Sequence, residues 1–429
     1  MSQVSEIFDG LIANLEVDNG ETIAARRDEM TKTLNREFRG LESSTSNRLM
    51  VGSYGRWTAI KGISDLDLLY ILPSSAHSEY EKEGGPSKVL ARTRLAIQGR
   101  YPKTFVKADR LVVVVQFTNF MFEVQPVFEN DDRSFSYPDT YSGTWKTTKP
   151  REEIEAISAD NSLADGNLRR LCKLARAWKN RHGVGIGGLL IDTLAYNFMR
   201  KYPDHRSAVS ATYDQMARDF FLYLSEEEDH EFYAAPGSRQ RVTVKKNFQG
   251  KAKRAYELCV DAIEATGQKN AFKKWRSVFG NSVPDIGVVK ESLMASAFTN
   301  TEEFIEDRFP VDVRYNVSID CTVTQDGFRP FSLRSLVASV GILPPKKQLD
   351  FKIVESDVPD PYEVRWKVLN RGPVAERLNK VRGQIIVPNR GRDHHEVTSF
   401  RGHHNVECYI LKNGVVVARD DIDVPISAD

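Results

Sequence analysis

Gly52-Ser53-Tyr54-Gly55-Arg56 is followed closely by Ser64-Asp65-Leu66-Asp67-Leu68-Leu69. Together these runs hold residue types that can cradle phosphate and bind a hard cation. Leu49, Met50 and Val51 read as the end of a strand, and Gly52 and Gly55 permit the tight backbone path of a strand-to-helix corner. Such a corner aims amide groups and a helix N-terminus at one point, where an anion is favoured. Residues 63–72 read as the next strand, whose period of two puts Asp65 and Asp67 on one face and Leu66 and Leu68 on the other. Neighbouring carboxylates repel unless a cation lies between them, and oxygen ligands beside phosphate suit Mg²⁺ or Mn²⁺. A bare D-x-D is common on solvated strands; the glycine-serine corner at this spacing is what points to a nucleotide-metal site.

Several elements must hold these runs in place. Residues 1–44 carry Ile7, Leu11 and Leu15, then Ile23, Met30, Leu34 and Phe38, at helical spacing, and Asp18-Asn19-Gly20 between them is a turn, so two helices are expected. Residues 73–86 read as a loop and 87–100 as a helix. Strands over 111–117 and 120–128 are joined by Thr118-Asn119 as a hairpin, the first apolar enough for a buried central strand. Glu123 in the second strand faces away from Phe122 and Val124; Pro126 also fits an edge strand, on which Glu123 would simply face solvent. Residues 129–150 read as a loop. A strong helix runs from Asn167 to about Arg181, with Leu168, Leu171, Cys172, Ala175 and Trp178 as its apolar stripe and Arg169, Lys173, Arg176 and Lys179 largely opposite. The glycine-dense stretch 183–188 lacks both phosphate-loop signatures and reads as a flexible connection into a helix over 189–199. Residues 245–276 hold nine Lys or Arg against three acids, either an electropositive rim or plain surface.

The run Gly52 to Ile60 with Ser64 to Leu69 resembles the motif of the bacterial cGAS/DncV-like nucleotidyltransferases, the SMODS group, specifically over 45–72 and more weakly to about 285. The resemblance implies an α/β (α+β), polymerase beta-like catalytic fold with a helical lobe. It also implies Glu123 as a third metal ligand beside Asp65 and Asp67, and Lys173 and Arg176 as triphosphate contacts together with Gly52 and Ser53. It further implies two Mg²⁺ (or Mn²⁺) ions, template-independent joining of nucleoside triphosphates into a cyclic product, a bacterial antiphage role, and an effector protein that reads the product. A linear oligonucleotide or tRNA-type transferase, a protein-nucleotidylating enzyme and a non-enzymatic nucleotide sensor stay open.

At 429 residues two domains are expected, and 41% hydrophobic with 28% charged residues fits a globular protein. A net charge of +1 announces neither nucleic acid nor an anionic membrane as partner. There is no apolar run of about 18 residues and no basic-then-apolar leader, so a cytoplasmic protein is expected. Cys172, Cys259, Cys321 and Cys408 are too scattered for a disulfide framework or zinc knuckle and read as reduced core thiols. Beyond a catalytic region over 1–285 and a linker over 286–309, residues 310–429 read as short strands with turns such as Lys412-Asn413-Gly414, an all-β, immunoglobulin-like sandwich. Trp366 to Gly372, Arg382-Gly383 and Glu407-Cys408-Tyr409 resemble the adenylyl/guanylyl and SMODS C-terminal sensor domain, and a nucleotide, a phage component or the catalytic lobe itself stay open as what it binds. His394, His395, His403 and His404 are close in sequence, but paired neighbours on strands face opposite ways, so they read as turn and sheet-edge residues rather than a metal site. The ending Ile426-Ser427-Ala428-Asp429 lacks the small last residue expected of C-terminal conjugation.

Overall fold

The computed structural model describes residues 2–285, 303–324, 329–339, 341–344, 347–370, 375, 377, 381–398 and 402–426, apart from the side chain of His403. The chain forms two compact units: residues 1–178 with 186–284, and residues 179–185 with 285–429.

Two helices open the first unit, α1 (Gln3–Asn14) and α2 (Gly20–Arg39). The Ser2 hydroxyl caps α1 by accepting from the Ser5 amide at 3.1 Å, and Gly40 ends α2 in the left-handed region. Ile23, Met30 and Leu34 of α2 are buried against the sheet core.

The sheet follows the order β1-β2-β5-β4-β3, with β1 (Arg48–Met50), β2 (Asp65–Ile71), β3 (Phe105–Ala108), β4 (Val113–Gln116) and β5 (Met121–Glu129). Between β1 and β2 lies the single helical turn α3 (Gly52–Gly55). Strands β2 and β5 run parallel, while the β1–β2, β4–β5 and β3–β4 pairs are antiparallel. Leu66, Leu68, Tyr70, Phe122 and Val124 turn one face of β2 and β5 into a core. Glu123 therefore stands on a central strand, not an edge. Pro126 is tolerated there because pairing with β4 stops at Val124 and pairing with the next strand starts at Phe128.

Three readings need correction. The stretch 73–86 is not all loop, since it holds a 3₁₀ turn (Ser74–Ala76) and the short α4 (His77–Tyr80), and α5 (Gly85–Arg100) starts within it. Strand β3 went unforeseen. Residues 129–150 contain a strand pair, β6 (Phe135–Asp139) and β7 (Thr144–Thr148), the first also paired to β5. Their polar composition hides the pattern because the polar groups are paired: buried Asp139 accepts from Arg110 Nε and Nη2 at 2.8 Å each and pairs with Lys146 Nζ at 2.5 Å. Phe135 is fully buried with Leu69 and Val127, under the Arg151 guanidinium at 5.0 Å.

Helices α6 (Pro150–Leu163), α7 (Asn167–His182), α8 (Gly188–Lys201), α9 (Tyr213–Glu226), α10 (Gln249–Glu264) and α11 (Ala271–Phe279), with a small hairpin of β8 (Phe232–Ala234) and β9 (Arg241–Thr243), form the rest of this region. The apolar stripe of α7 is buried as its spacing demands. Lys251, Lys253, Arg254, Lys269, Lys273 and Lys274 of the basic stretch are solvent-exposed.

The second unit is a pair of four-stranded sheets, preceded by the short α12 (Ile305–Arg308). One sheet joins β10 (Val317–Thr324), β11 (Phe331–Ser332), β12 (Gln348–Ser356) and β15 (His394–Val397), with the short α13 (Leu333–Ala338) after β11. The other joins β13 (Glu363–Asn370), β14 (Ile385–Ile386), β16 (Gly402–Lys412) and β17 (Val415–Ile426). Ile319, Phe351, Trp366, Cys408 and Val417 share one core, so the sheets pack face to face. Asn413 (φ 52) and Gly414 (φ 78) both have positive φ, as the Asn-Gly hairpin turn requires. His394 Nε2 meets Glu396 Oε1 at 2.9 Å and His395 Nδ1 meets Asp350 Oδ1 at 2.8 Å, so the neighbouring histidines answer to separate carboxylates. All four cysteines are buried and unbridged.

Phe135→Ala should lower the stability of the first unit by about 3 kcal/mol, the usual cost of deleting a fully buried ring. Urea unfolding followed by tryptophan fluorescence measures it, and a loss under about 1 kcal/mol would mean that β6 is peripheral to the core.

Candidate active site

Parallel pairing of β2 with β5 sets Asp65 opposite Met121 and Asp67 opposite Glu123. Residues in register on neighbouring strands share a face, so Asp65, Asp67 and Glu123 lie together on the side opposite Leu66, Leu68, Phe122 and Val124. All three acids are half-buried. Among the described residues no three or more His, Cys, Asp or Glu side chains are drawn together as a group that could hold a metal ion. What the register supplies is three carboxylates on one sheet face.

The glycine-serine corner stands directly on this set. Gly52 has φ +63, and a Cβ there would sit 1.8 Å from Asp67 Oδ2, so a side chain would strain the backbone and displace the Asp67 carboxylate. Gly55 is as tightly constrained, since its Cβ would meet the Met50 carbonyl oxygen at 2.3 Å. The Val51 amide donates to the Asp67 carbonyl at 3.0 Å, tying the corner to β2. The Ser53 carbonyl accepts from the Thr58 and Ala59 amides at 3.0 and 3.2 Å, which closes the turn. Three carboxylates with only oxygen donors, beside a backbone that leaves room no Cβ would allow, fit a divalent cation carrying phosphate.

Behind the corner lies a residue that the sequence reading missed. Asp192 on α8 is completely buried. Its Oδ2 accepts from Arg56 Nε at 2.8 Å and Thr58 Oγ1 at 3.0 Å, and its Oδ1 from Arg176 Nη1 at 2.6 Å. Burial alone would push this carboxyl up, but the Arg176 and Arg56 guanidiniums outweigh it and hold it down to about 2. Glu153 on α6 faces Arg56 Nη1 at 3.7 Å, and there burial wins, so its carboxyl is raised. The one sequence signal was a lone acid in the apolar run Leu189-Leu190-Ile191-Asp192.

The two basic residues of α7 part ways. Arg176, expected among the triphosphate contacts, is buried and committed to the protein: beyond Asp192 it donates to the carbonyls of Gly188 at 3.0 Å and Cys172 at 3.3 Å. Its place on the inner side of α7 makes it a brace for the corner. Lys173 is one turn earlier, and its Nζ pairs with Glu16 Oε1 at 2.5 Å. Glu16 is well exposed, so this ion pair is a weak one.

Family comparison finds a match at each end of the chain. Residues 1–161 match the Second Messenger Oligonucleotide or Dinucleotide Synthetase domain. Residues 299–427 match the Adenylyl/Guanylyl and SMODS C-terminal sensor domain. The chain thus carries a SMODS-type synthetase domain and the sensor domain that is named for it. This synthetase is 23% identical over 274 residues to a probable cyclic nucleotide synthase of Bacillus cereus (strain VD146), covering 54% of the chain and 81% of the relative. It is 22% identical over 262 residues to the cyclic AMP-AMP-AMP synthase of Acinetobacter sp. (strain ATCC 27244 / 9458), covering 54% of the chain and 71% of the relative. Among solved structures, E. coli MS115-1 CdnC with ATP covers 66% of the synthetase and 99% of its own chain at TM-score 0.47 and 16% identity. The apo form of Vibrio cholerae DncV covers 66% and 86% at TM-score 0.46 and 15% identity. No helix among the synthetase's described residues is long and apolar enough to cross a membrane.

Replacing Asp192 by alanine should cost about 3–5 kcal/mol, because it strands Arg56 and Arg176 without their anion. The depressed carboxyl contributes stability above its ordinary range, and that share is lost as pH falls from about 4 towards 2. Acid unfolding compared between the parent and Asp192→Asn tests the sign, and identical acid limbs would refute it. Gly52→Ala should fold yet lose about a hundredfold in nucleotide transfer, because its Cβ displaces Asp67; retained turnover would show that the contact is dispensable.

Proposed function

We propose that this synthetase joins nucleoside triphosphates into a cyclic di- or oligonucleotide second messenger and releases pyrophosphate. The observation that carries the reading is Glu123 in register beside Asp67, with Gly52 pressed onto the Asp67 carboxylate. In that arrangement three carboxylates share one sheet face beside a backbone corner that carries no Cβ at Gly52. We read it as a nucleotidyl-transfer centre on a polymerase beta-like lobe.

Asp65, Asp67 and Glu123 would hold the divalent ions, two per site in this reading, Mg²⁺ or Mn²⁺. When bound, such ions lower the pKa of a ribose hydroxyl and neutralise charge on the leaving pyrophosphate. The protein's own contribution is placement. Gly52 lets the backbone approach the triphosphate closely, and Ser53 offers a hydroxyl at the same corner. Lys173 exchanges Glu16 for phosphate oxygens. Arg176 contributes from behind, through Asp192 and Arg56, by fixing where the corner stands. No residue needs to serve as a dedicated base. Ring closure repeats the same transfer on the linear intermediate.

The C-terminal sandwich, which we assign an immunoglobulin-like topology, is read as the module that responds to an activating partner or signal. The family resemblance supports bacterial antiphage signalling as the setting, with an effector that reads the product. The test is incubation with four labelled nucleoside triphosphates and Mg²⁺ or Mn²⁺, phosphatase treatment, and mass spectrometry beside Asp65→Ala/Asp67→Ala. A phosphatase-resistant product absent from the double variant is expected, reduced by at least about a thousandfold. Label that stays on polypeptide, or a product that phosphatase destroys, would overturn the cyclising reading.

A further inference from the structure

A second site is built on the helical region, away from the carboxylate face. Between α8 and the β8–β9 hairpin lies a groove of about 530 Å³, lined by Tyr196, Asn197, Arg200, Pro236, Gly237 and Arg239, with Ala234 and Ala235 at its edge. This volume falls in the range of small-molecule sites. The groove shares no lining residue with Gly52, Ser53, Asp65, Asp67 or Glu123.

Its walls are held firmly. The Ala235 amide donates to the Gln240 carbonyl at 2.9 Å and the Arg239 amide to the Ala235 carbonyl at 3.1 Å. Gly237 has φ +69 and lies so close to α6 that a Cβ would meet the Glu152 carbonyl oxygen at 2.2 Å. Arg239 itself takes a left-handed backbone, φ 57, which a bulky residue rarely adopts. Ser238 Oγ donates to Glu153 Oε1 at 3.1 Å, so the turn is fastened to the acid that also faces Arg56.

The lining has a definite chemistry. It carries two guanidiniums and no acid. Arg200 donates to Tyr196 Oη at 3.0 Å and lies over that ring at 5.3 Å, while Asp160 stands 3.7 Å from it. With that partner loose and 58% of its side chain exposed, Arg200 keeps donors for an incoming anion. Guanidiniums take phosphate or carboxylate in a bidentate fork. A tyrosine ring offers a flat apolar face, and an asparagine amide both donates and accepts at a heterocycle edge.

We propose that this groove binds an anionic ligand bearing a planar ring, of the nucleoside monophosphate class, with its phosphate on Arg200 and Arg239 and its ring at Tyr196 and Asn197. The proposal is independent of the transfer reaction at the carboxylate face.

The probe is 8-azido-AMP, photo-crosslinked to the full chain and mapped by peptide mass spectrometry, with nucleoside triphosphate turnover measured in parallel. Label is expected on peptides spanning 196–200 or 234–239. It should fall about tenfold with excess inorganic phosphate and in Arg200→Gln/Arg239→Gln, whose turnover and melting temperature stay those of the parent. The map on the unaltered protein stands even if that variant folds poorly. Label confined to other peptides, or groove label undiminished by both phosphate and the substitutions, overturns the proposal.

Discussion

A buried carboxylate surrounded by two guanidiniums and a hydroxyl is the interaction on which the catalytic unit depends. Asp192 has no access to water, so its charge is tolerable only while Arg56, Arg176 and Thr58 all stay in place. Each partner comes from a different part of the chain: Arg56 and Thr58 from the glycine-serine corner, Arg176 from α7, and Asp192 from α8. A buried ion pair of this kind adds little net stability against an apolar replacement, but it penalises every arrangement in which one partner moves. The position of the corner over Asp67 is thereby fixed from behind. In front, the absence of any Cβ at Gly52 completes the fit.

The second unit uses the same device. Glu407 is buried beside Arg419 Nη2 at 2.8 Å and Lys367 Nζ at 3.9 Å, and it accepts from the Tyr409 hydroxyl. Burial would raise its carboxyl, yet the surrounding cations, Arg419 foremost, hold it at about 2. Residues 179–185 belong to this unit. The Asn180 side chain donates to the Val311 carbonyl at 3.0 Å and accepts from the Val313 amide at 3.1 Å. Gly183 and Gly185, which look like a flexible joint in sequence, are instead sites of close packing: their Cβ atoms would meet the Arg419 carbonyl at 2.1 Å and Asn316 Oδ1 at 1.7 Å. Glycine there serves contact rather than freedom.

Charge is divided between the visible and the hidden. Exposed lysines and arginines of α10 and α11 supply five of the nine cations of the basic stretch, but the cations that shape the site are buried, and each is bound to a named acid or carbonyl. Half-buried Arg169 adds a donation to the Arg56 carbonyl at 3.1 Å. A helix that reads as amphipathic with a solvated basic side thus has two kinds of basic residue on it. Lys173 reaches an exposed partner, whereas Arg176 faces inward.

The sequence by itself determined what short-range rules can reach. Alternation over 63–72 put Asp65 and Asp67 on one face, helical spacing placed α1, α2 and the stripe of α7, and Asn413-Gly414 specified its hairpin. These follow from backbone periods and from which residues tolerate positive φ, both of which are local properties. Tertiary structure decided the rest. Only the β2–β5 register sets Glu123 beside Asp67 on a central strand, and only packing turns Arg176 away from solvent towards Asp192. The strand pair within 129–150 was hidden for the same reason: Asp139 looks like a loop residue until Arg110 and Lys146, from other strands and turns, neutralise it. Long-range pairing of charges carries no periodic signature, so a residue's partner, and with it its role, emerges only when the chain is folded.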